Sequence, residues 1–475
     1  MITASTTQAR RLTLKSCSRI QSISASASVS TAREPHQRYF ASMASYVTDS
    51  MKNAVKSSML QEAARPDSKL WSNEESDYQH KPSRVSKHSD SSFSSNANQE
   101  DIDVDSPISR ARFLMLHDPL DEWYLDSKPS GVAAPPLTPE TDPFILSKAD
   151  MKTLSQSIRT DLIGSDHPVL SKAASYFFEE GQDSGKKVRP MMVLLLSRAM
   201  QLHSEETARA RPDLFRAQRR LAEISEMIHT ASLFHDDVID GADTRRGSPS
   251  VHKVFGNKMA ILAGDYLLAR ASIFLARLRD VEVVETMSTI IEHLVRGEVM
   301  QMKGSDASDS DNERMVQYLR KNFYKTASLM ANSCKSAAIL GGYNDDIVAA
   351  SYTYGKHLGI AFQLVDDVLD YDGSASAMGK PALSDLNAGL ATAPVLFAAE
   401  MYPNQLSPLI DRKFKIEGDV ELAVEYVRKT DGIKRTKDLA QVHVEIAIEA
   451  ISRLDRSDYR DSLIHLAHKV VDRKR

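Results

Sequence analysis

The stretch ASLFHDDVIDGADTRRG, residues 231–247, places three aspartates after an apolar run and two arginines shortly afterwards. On an α-helix, residues four apart lie on one face, about 6 Å from each other along the axis. Asp236 and Asp240 therefore point the same way, with Asp237 between them, and His229 shares their face. Carboxylates this close repel each other unless a cation lies between them.

A second stretch, AFQLVDDVLDYDG, repeats the acidic pattern with Asp366, Asp367 and Asp370, and Gln363 comes just before them. Such oxygen ligands suit Mg²⁺, which prefers one or two carboxylates together with water and substrate phosphates. A single cluster of this form could equally be a solvated helix end. Here an apolar run precedes each cluster, and the two clusters have nearly the same sequence, DDVID and DDVLD. We therefore interpret the pair as a metal site that holds a diphosphate between two helices.

Basic residues accompany both clusters, as diphosphate binding requires, because arginine binds phosphate in bidentate fashion and lysine binds it as a point charge. Single residues of this kind usually lie on the surface, and only their recurrence beside the acidic clusters favours binding. The motif GKKVRP lacks the pattern of a Walker loop. The candidates are Lys186, Arg189, Arg245, Arg246, Lys325, Thr326 and Lys380.

Composition narrows the class of protein. The chain has 475 residues, of which 42% are hydrophobic, and a formal net charge of −4, without the basic excess of a nucleic-acid binder. Its two cysteines argue against a disulfide framework. No run of about 18 apolar residues occurs, so we expect no membrane-spanning helix. From Asp142 onward apolar residues recur at spacings of three and four, which predicts an all-α domain without strands.

The N-terminal part is organised differently. Residues 1–40 are rich in Ser, Thr and Ala, contain several Arg, and have no acidic residue before Glu34. This composition predicts a mitochondrial presequence, with a disordered serine-rich tail as the alternative. Residues 41–142 are polar and of low complexity, and we expect a mostly disordered linker there. Residues 143–475 form the predicted catalytic domain.

In this domain the motifs GKKVRP, HTASLFHDDVIDGADTRRG, GDYLLARA, YKTASL, GIAFQLVDDVLDYDG and MGKPALSDLNAGLATAPVL follow one another. In this order they resemble the trans-isoprenyl diphosphate synthases, most of all the mitochondrial long-chain polyprenyl (hexaprenyl, solanesyl and decaprenyl) diphosphate synthases of ubiquinone biosynthesis. The resemblance implies the isoprenoid synthase fold, a helical bundle around a central cavity, behind a disordered N-terminal extension. It also implies Mg²⁺ as cofactor, and isopentenyl diphosphate and an allylic diphosphate as substrates.

The resemblance further implies a role for each candidate residue. The metal ligands are Asp236, Asp237, Asp240, Asp366, Asp367 and Asp370, with direct coordination by Asp236, Asp240 and Asp366. The isopentenyl diphosphate site comprises Lys186, Arg189, His229 and Arg246. The positions around the allylic diphosphate are Arg245, Lys325, Thr326, Gln363 and Lys380. The residues expected to act in catalysis are Asp236, Asp240, Asp366, Lys325 and Arg245.

Product length is expected to depend on Ala231 and Ser232. Short-chain members of the family carry bulky aromatic residues at this place, so two small residues imply an open tunnel and a long product. Small residues also simply permit close helix packing. A geranylgeranyl diphosphate synthase remains the alternative within the same enzyme class.

A non-catalytic subunit of a heteromeric prenyl synthase is an alternative of another class. Such a subunit should have lost an aspartate or an arginine from the clusters, and this chain keeps them all. We expect a homodimer or a heteromer with a related subunit, and no nucleic-acid partner. The expected location is the mitochondrial matrix, peripheral to the inner membrane through the apolar product.

Overall fold

The computed structural model describes residues 135–164, 167–179, 186–203, 213–245, 247–304, 311–371 and 383–473. The predicted presequence, and the predicted linker up to residue 134, lie outside these ranges. The first helix begins at Pro143, whose fixed φ suits the first helical turn. Its N-cap is Asp142, whose side chain accepts hydrogen bonds from the backbone N–H groups of Phe144 and Ile145 at 2.9 and 3.2 Å.

Seventeen α-helices follow one another in the described ranges. They are α1 Pro143–Leu146, α2 Lys148–Ser157, α3 Pro168–Ser175, α4 Val188–His203, α5 Leu214–Ile239, α6 Val251–Phe255, α7 Asn257–Arg277, α8 Val281–Lys303, α9 Asp311–Asn322, α10 Ser328–Gly341, α11 Asp345–Tyr371, α12 Ser384–Asn387, α13 Ala393–Met401, α14 Pro403–Asp411, α15 Asp419–Lys429, α16 Gly432–Ile451 and α17 Asp458–Val471. Two π-helical turns, Ile158–Leu162 and Phe323–Ala327, continue α2 and α9, and a 3-10 turn, Tyr176–Phe178, follows α3. The all-α prediction is therefore confirmed.

Helix α10 lies at the centre, because both aspartate-bearing helices, α5 and α11, pack against it. Two glycines bring α11 very close to its neighbours. A Cβ at Gly355 would lie 2.5 Å from the carbonyl oxygen of Met330, and one at Gly359 would lie 2.6 Å from Cα of Ala327. Real Cβ atoms do not approach so closely, so these glycines fix α11 against α10 and the adjoining π-helical turn.

Two details differ from the sequence-based expectations. A small antiparallel hairpin follows α5, in which β1 (Thr244–Arg245) pairs with β2 (Ser248–Pro249). Gly247, in the turn between them, has a φ of 83° that L side chains rarely adopt. Short strands of this kind escape a periodicity search, because two residues cannot show an alternation.

Helix α7 is the other difference. Within the described ranges it alone is long and apolar enough, by length and composition, to cross a membrane. The helix contains no unbroken apolar run of that length, because Asp265 and Arg270 interrupt it. In the domain α7 packs against α5 and α3.

Candidate active site

The first acidic cluster lies where α5 ends. The helix stops at Ile239, and Asp240 is its C-cap, still in the right-handed α region. The backbone N–H of Asp240 donates to the carbonyl oxygen of Asp236 at 2.8 Å. The i, i+4 relation predicted from the sequence therefore holds, and both carboxylates lie on the same face.

Asp237 lies on a different face and is completely buried. Its Oδ1 accepts a hydrogen bond from Nε of Arg245 at 2.9 Å and a second one from the Nη2 group of the same side chain. Arg245 belongs to β1, so these two bonds to one carboxylate oxygen anchor the hairpin to the end of α5. The carboxylate of Asp237 thereby positions the arginine that follows the cluster.

Lys325 approaches the first cluster from the second π-helical turn. Its ammonium group forms an ion pair with Glu298 and donates to Oε1 of Gln301 at 3.0 Å. Both partners lie on α8. Gly297 makes room for this side chain, because a Cβ there would lie 2.6 Å from Cγ of Lys325.

The electrostatics of the cluster favour a cation. Burial raises the pKa of Asp236 to about 6; Glu298 and Asp240 add to the rise, while Lys325 and Arg245 oppose it. Burial also raises the pKa of Asp240. Within the described residues neither side chain has an ion-pair partner. A half-buried carboxylate, Asp236, and an exposed one, Asp240, neither with a cation of its own, match the donor set that Mg²⁺ requires.

Thr326, which follows Lys325 in the same π-helical turn, is connected to the second cluster by hydrogen bonds. Thr326 donates from its hydroxyl group to Oε1 of Gln363 at 3.1 Å, and Nε2 of Gln363 donates to Oδ1 of Asp367 at 2.9 Å. Lys325 and Thr326 thus point to opposite clusters from adjacent positions. π-Helical turns frequently occur at functional sites, and in this one the charge of Lys325 acts on Asp236 and Asp240 while Thr326 bonds to Gln363 on α11.

Asp367 is buried, like Asp237 in the first cluster. The hydroxyl group of Tyr318 on α9 donates to its second carboxylate oxygen. Burial and the charge of Asp385 raise the pKa of Asp367, and hydrogen bonds from Tyr318 and Gln363 oppose that rise. The carboxylate is held by neutral donors, so it can fix the orientation of Gln363.

Lys321 lies on α9, four residues before Lys325, with its ammonium group 5.5 Å from the ring centroid of Tyr318. Burial lowers the pKa of Lys321. The charges of Asp367 and Asp385 raise this pKa, the charge of Lys325 lowers it, and the charge of Glu298 raises it. Lys321 is therefore a further cation, not predicted from the sequence, that interacts electrostatically with Asp367 of the second cluster and with Glu298 on α8.

The carboxylate of Asp370 is held by hydrogen bonds from residues at the start of α12. Its carboxylate accepts from the backbone N–H and the hydroxyl group of Ser384, both at 3.0 Å, and from the N–H of Asp385 at 3.1 Å. These bonds tie the end of α11 to the start of α12. Asp366, four residues earlier, instead forms an ion pair with Arg473, near the C-terminus.

The predicted isopentenyl diphosphate residues also come together. Arg189 at the start of α4 lies with Nη1 3.1 Å from Nε2 of His229 on α5. Lys186, just before α4, has its pKa lowered by burial and further by the charge of Arg473. The neighbourhood of Lys186 therefore includes the arginine that pairs with Asp366.

Two predicted residues are not described by the structure, and five residues at the site were not predicted. Arg246 and Lys380 lie outside the described residues. The sequence analysis missed Glu298, Gln301, Tyr318, Lys321 and Arg473. The motif RGEVMQM on α8 held a usable signal, because it places a glycine, an acid and an amide within five residues. Within the described ranges no three His, Cys, Asp or Glu side chains converge closely enough to hold a metal ion by themselves.

Comparison with known proteins agrees with this geometry. A family model described as polyprenyl synthetase matches residues 167–427. The probable mitochondrial hexaprenyl pyrophosphate synthase of Neurospora crassa is 47% identical over 377 residues, covering 71% of this chain and 83% of the relative. An all-trans-polyprenyl-diphosphate synthase of Homo sapiens is 45% identical over 333 residues, covering 70% and 77% of the two chains.

A solved structure shows the same architecture. The polyprenyl synthase from Caulobacter crescentus CB15, complexed with calcium and isoprenyl diphosphate, matches with a TM-score of 0.61 and 31% identity. The match covers 70% of this chain and 97% of that one. The fold and the paired acidic helices thus define an isoprenoid synthase, and the chain belongs to the polyprenyl synthetase family. It is a prenyltransferase, a polyprenyl diphosphate synthase.

Proposed function

We propose that this chain is the Mg²⁺-dependent trans-polyprenyl diphosphate synthase that makes the long isoprenoid tail of ubiquinone in mitochondria. The observation that carries the proposal is the π-helical turn Phe323–Ala327. Its Lys325 lies beside the first acidic cluster, and its Thr326 is hydrogen-bonded through Gln363 to the second. A substrate diphosphate between the two clusters would meet both a cation and hydrogen-bond donors.

The residues present fit a divalent cation. Asp236, Asp240 and Asp366 would hold it together with the substrate phosphates, because the protein side chains alone do not form a complete ligand set. Bound there, Mg²⁺ would neutralise the negative charge that develops on the departing diphosphate. The Caulobacter relative was solved with calcium and isoprenyl diphosphate, which supports a divalent cation in the same role.

The side chains of this protein contribute the remaining stabilisation. Lys325 and Arg245 place positive charge beside the allylic diphosphate as its C–O bond breaks. The double bond of isopentenyl diphosphate then attacks the allylic cation, a new C–C bond forms, and loss of one proton restores an alkene. Arg189 and His229, 3.1 Å apart, would clamp the second diphosphate and hold the two reactants in register.

We propose that product length depends on the two small residues on α5 that precede the first acidic cluster. Ala231 is buried and Ser232 is half-buried, and the hydroxyl group of Ser232 donates to the carbonyl oxygen of His229 at 2.9 Å. Neither side chain is long enough to obstruct a prenyl chain that grows along α5. The long-chain relatives support a product of hexaprenyl to decaprenyl length.

Oligomerisation is supported by apolar side chains that α7 and α8 expose. These are Ile261, Leu262, Ile273, Val295, Val299 and Met302. Contiguous exposed apolar residues on neighbouring helices commonly mark protein interfaces. We therefore propose an oligomer, and light scattering of the purified chain separates a homodimer from a subunit that needs a related partner.

The N-terminal composition supports a mitochondrial location, as does the similarity to the mitochondrial hexaprenyl pyrophosphate synthase of Neurospora crassa. We place the enzyme in the matrix, peripheral to the inner membrane, where an apolar product would partition. Import of the full chain into isolated mitochondria, followed by carbonate extraction, tests both parts of this statement.

The activity test uses the purified protein with isopentenyl diphosphate, an allylic diphosphate and Mg²⁺, with chromatographic sizing of the dephosphorylated product. We expect a long-chain polyprenol. Asp236→Asn and Asp366→Asn should each lower turnover by at least about 100-fold, since each removes a charge that acts in the transition state. Asp438→Asn, at an exposed carboxylate on α16, is the matched control.

Other outcomes identify the alternatives. Geranylgeranyl diphosphate as the end product would make the chain the short-chain enzyme. Absence of turnover until a related subunit is added would make it a subunit of a heteromer. Near-normal turnover of both aspartate variants would remove the metal assignment altogether.

A further inference from the structure

A polar cleft of about 480 Å³ lies between the first π-helical turn and the N-terminal half of α5. This volume falls within the range of about 300–1,000 Å³ that small-molecule sites occupy. One wall presents the hydroxyl groups of Ser157 and Thr160, and the other presents Arg216, Arg219 and Arg220. The hydroxyl group of Thr160 donates to Asp161 at 2.7 Å, so the donors in excess are the guanidinium groups.

The cleft is separate from the diphosphate site. Arg220 and Asp236 both belong to α5 and are sixteen residues apart, which corresponds to about 24 Å along the helix axis. None of the residues assigned to the two substrates lines the cleft.

A buried carboxylate balances part of the positive charge. Glu223 is 2% exposed. It lies 2.8 Å from Nη1 of Arg220 and 3.6 Å from Nε of Arg219. Arg216 is exposed and has no ion-pair partner among the described residues. With Asp161 as the other acidic residue of the lining, three guanidinium groups face two carboxylates, so the cleft keeps a positive excess.

More arginines gather next to it. The guanidinium carbons of Arg220, Arg270 and Arg277 lie 5.2, 5.0 and 5.2 Å from the ring centroid of Phe274. An aromatic face attracts a cation, but one ring offsets only part of the repulsion among three of them. An anion in the neighbouring cleft would lower this repulsion, and a phosphate group fits the planar fork of arginine best.

We propose that this cleft binds the phosphate group of an anionic ligand, supplied either by a soluble phosphate compound or by the headgroup of an anionic phospholipid. Both sources present the same chemistry to Arg216 and Arg219. A lipid headgroup would attach the end of the domain opposite to the acidic clusters of α5 to a membrane surface. A soluble phosphate would make the cleft an effector site.

The test compares the full-length wild-type protein with Arg216→Gln. Arg428→Gln, which removes an exposed arginine from α15, is the matched control. Binding of inorganic phosphate is measured by titration calorimetry. Binding to phosphatidylcholine vesicles, with and without phosphatidylglycerol, is measured by sedimentation. We expect Arg216→Gln to weaken one of these two interactions about tenfold, because it removes a charge-assisted contact, and Arg216→Lys to weaken it less.

Each outcome decides the proposal. Loss of phosphate binding in Arg216→Gln identifies a soluble ligand, and selective loss of binding to phosphatidylglycerol vesicles identifies a lipid. If wild type, Arg216→Gln and Arg428→Gln behave alike in both measurements, or if the wild type binds neither probe, the proposal is overturned. Condensation turnover in phosphate-free buffer without vesicles should be equal in all variants, so this result is independent of the proposed catalytic function.

Discussion

Arg473 and Asp366 form an ion pair that joins the C-terminal end of the described chain to the second acidic cluster. The guanidinium group also stacks on Phe362, with 4.4 Å between its carbon and the ring centroid. Arg473 is 13% exposed and Asp366 is 39% exposed, so the pair lies at the edge of the site. A metal ion and Arg473 would therefore compete for the same carboxylate.

Arg473→Gln is expected to lower the Mg²⁺ concentration that half-maximally supports turnover by about two- to fivefold. A partly exposed ion pair contributes on the order of 0.5–1 kcal/mol, and this is the free energy that a cation must overcome to reach Asp366. The measurement is turnover against Mg²⁺ concentration at saturating substrates.

Arg428→Gln controls for the loss of one positive charge in this experiment. An unchanged or increased Mg²⁺ requirement in Arg473→Gln would mean that Arg473 does not compete with the metal ion. A change in the Michaelis constant for isopentenyl diphosphate alone would indicate instead that Arg473 acts with Lys186, its electrostatic neighbour.

Gly297→Ala should lower turnover by about 10- to 100-fold with little loss of bound substrate. The new methyl group would lie 2.6 Å from Cγ of Lys325 and 3.1 Å from its backbone nitrogen, so the lysine must move away from Glu298 and the first cluster. A displacement of this size in a positioned charge has a large effect on a transition state. Steady-state kinetics and substrate binding are measured in parallel.

Gly164→Ala is the matched control, because a Cβ at that position meets no atom within 4 Å. Both variants should stay folded, which thermal unfolding verifies. Turnover of Gly297→Ala within twofold of the wild type would show that the position of Lys325 is unimportant for the reaction.

The sequence predicted the helices and the two acidic clusters because both follow from local periodicity. Asp236 and Asp240 share a face for the simple reason that they are four residues apart on α5. The juxtaposition of Arg189 with His229 followed from the resemblance, since these residues lie forty positions apart on different helices.

The partner of each carboxylate was not predictable in the same way. Asp236 and Asp237 are adjacent and chemically identical, yet one faces the site and the other holds Arg245. That division depends on the hairpin that returns Arg245 to α5. Arg473 lies more than a hundred residues from Asp366, and only tertiary packing brings them together. The π-helical register of Lys325 and Thr326 likewise depends on packing against α8 and α11.

The titration of Asp236 should make the metal-free protein less stable as the pH rises from about 4 to about 6. The pKa of Asp236 is raised from 3.8 to about 6 in the folded protein, so in this interval the folded state binds a proton that the unfolded state has lost. The free energy of unfolding therefore decreases as pH rises, by on the order of 2 kcal/mol. Urea unfolding in the presence of a chelator, compared with Asp236→Asn, isolates this contribution.

Mg²⁺ should reverse this trend above pH 6, because the deprotonated carboxylate is the form that binds a cation. The increase in melting temperature caused by Mg²⁺ and a diphosphate should be larger at pH 7.5 than at pH 5.5. Asp438→Asn should follow the wild type throughout. Identical pH dependence in Asp236→Asn and wild type would rule out the raised pKa of this group.

Ser232→Phe should shorten the product by several isoprene units while condensation continues. Ser232 lies one helical turn before Asp236, so a phenyl ring there would close the path along α5 soon after the reacting carbon. Because Ser232 is half-buried, the ring meets less overpacking than at buried Ala231, where we expect a cost of about 1–3 kcal/mol in stability. Sizing the polyprenols from Ser232→Phe, Ala231→Phe and wild type measures the effect. A full-length product from Ser232→Phe, made at the normal rate, would mean that the growing chain follows another route.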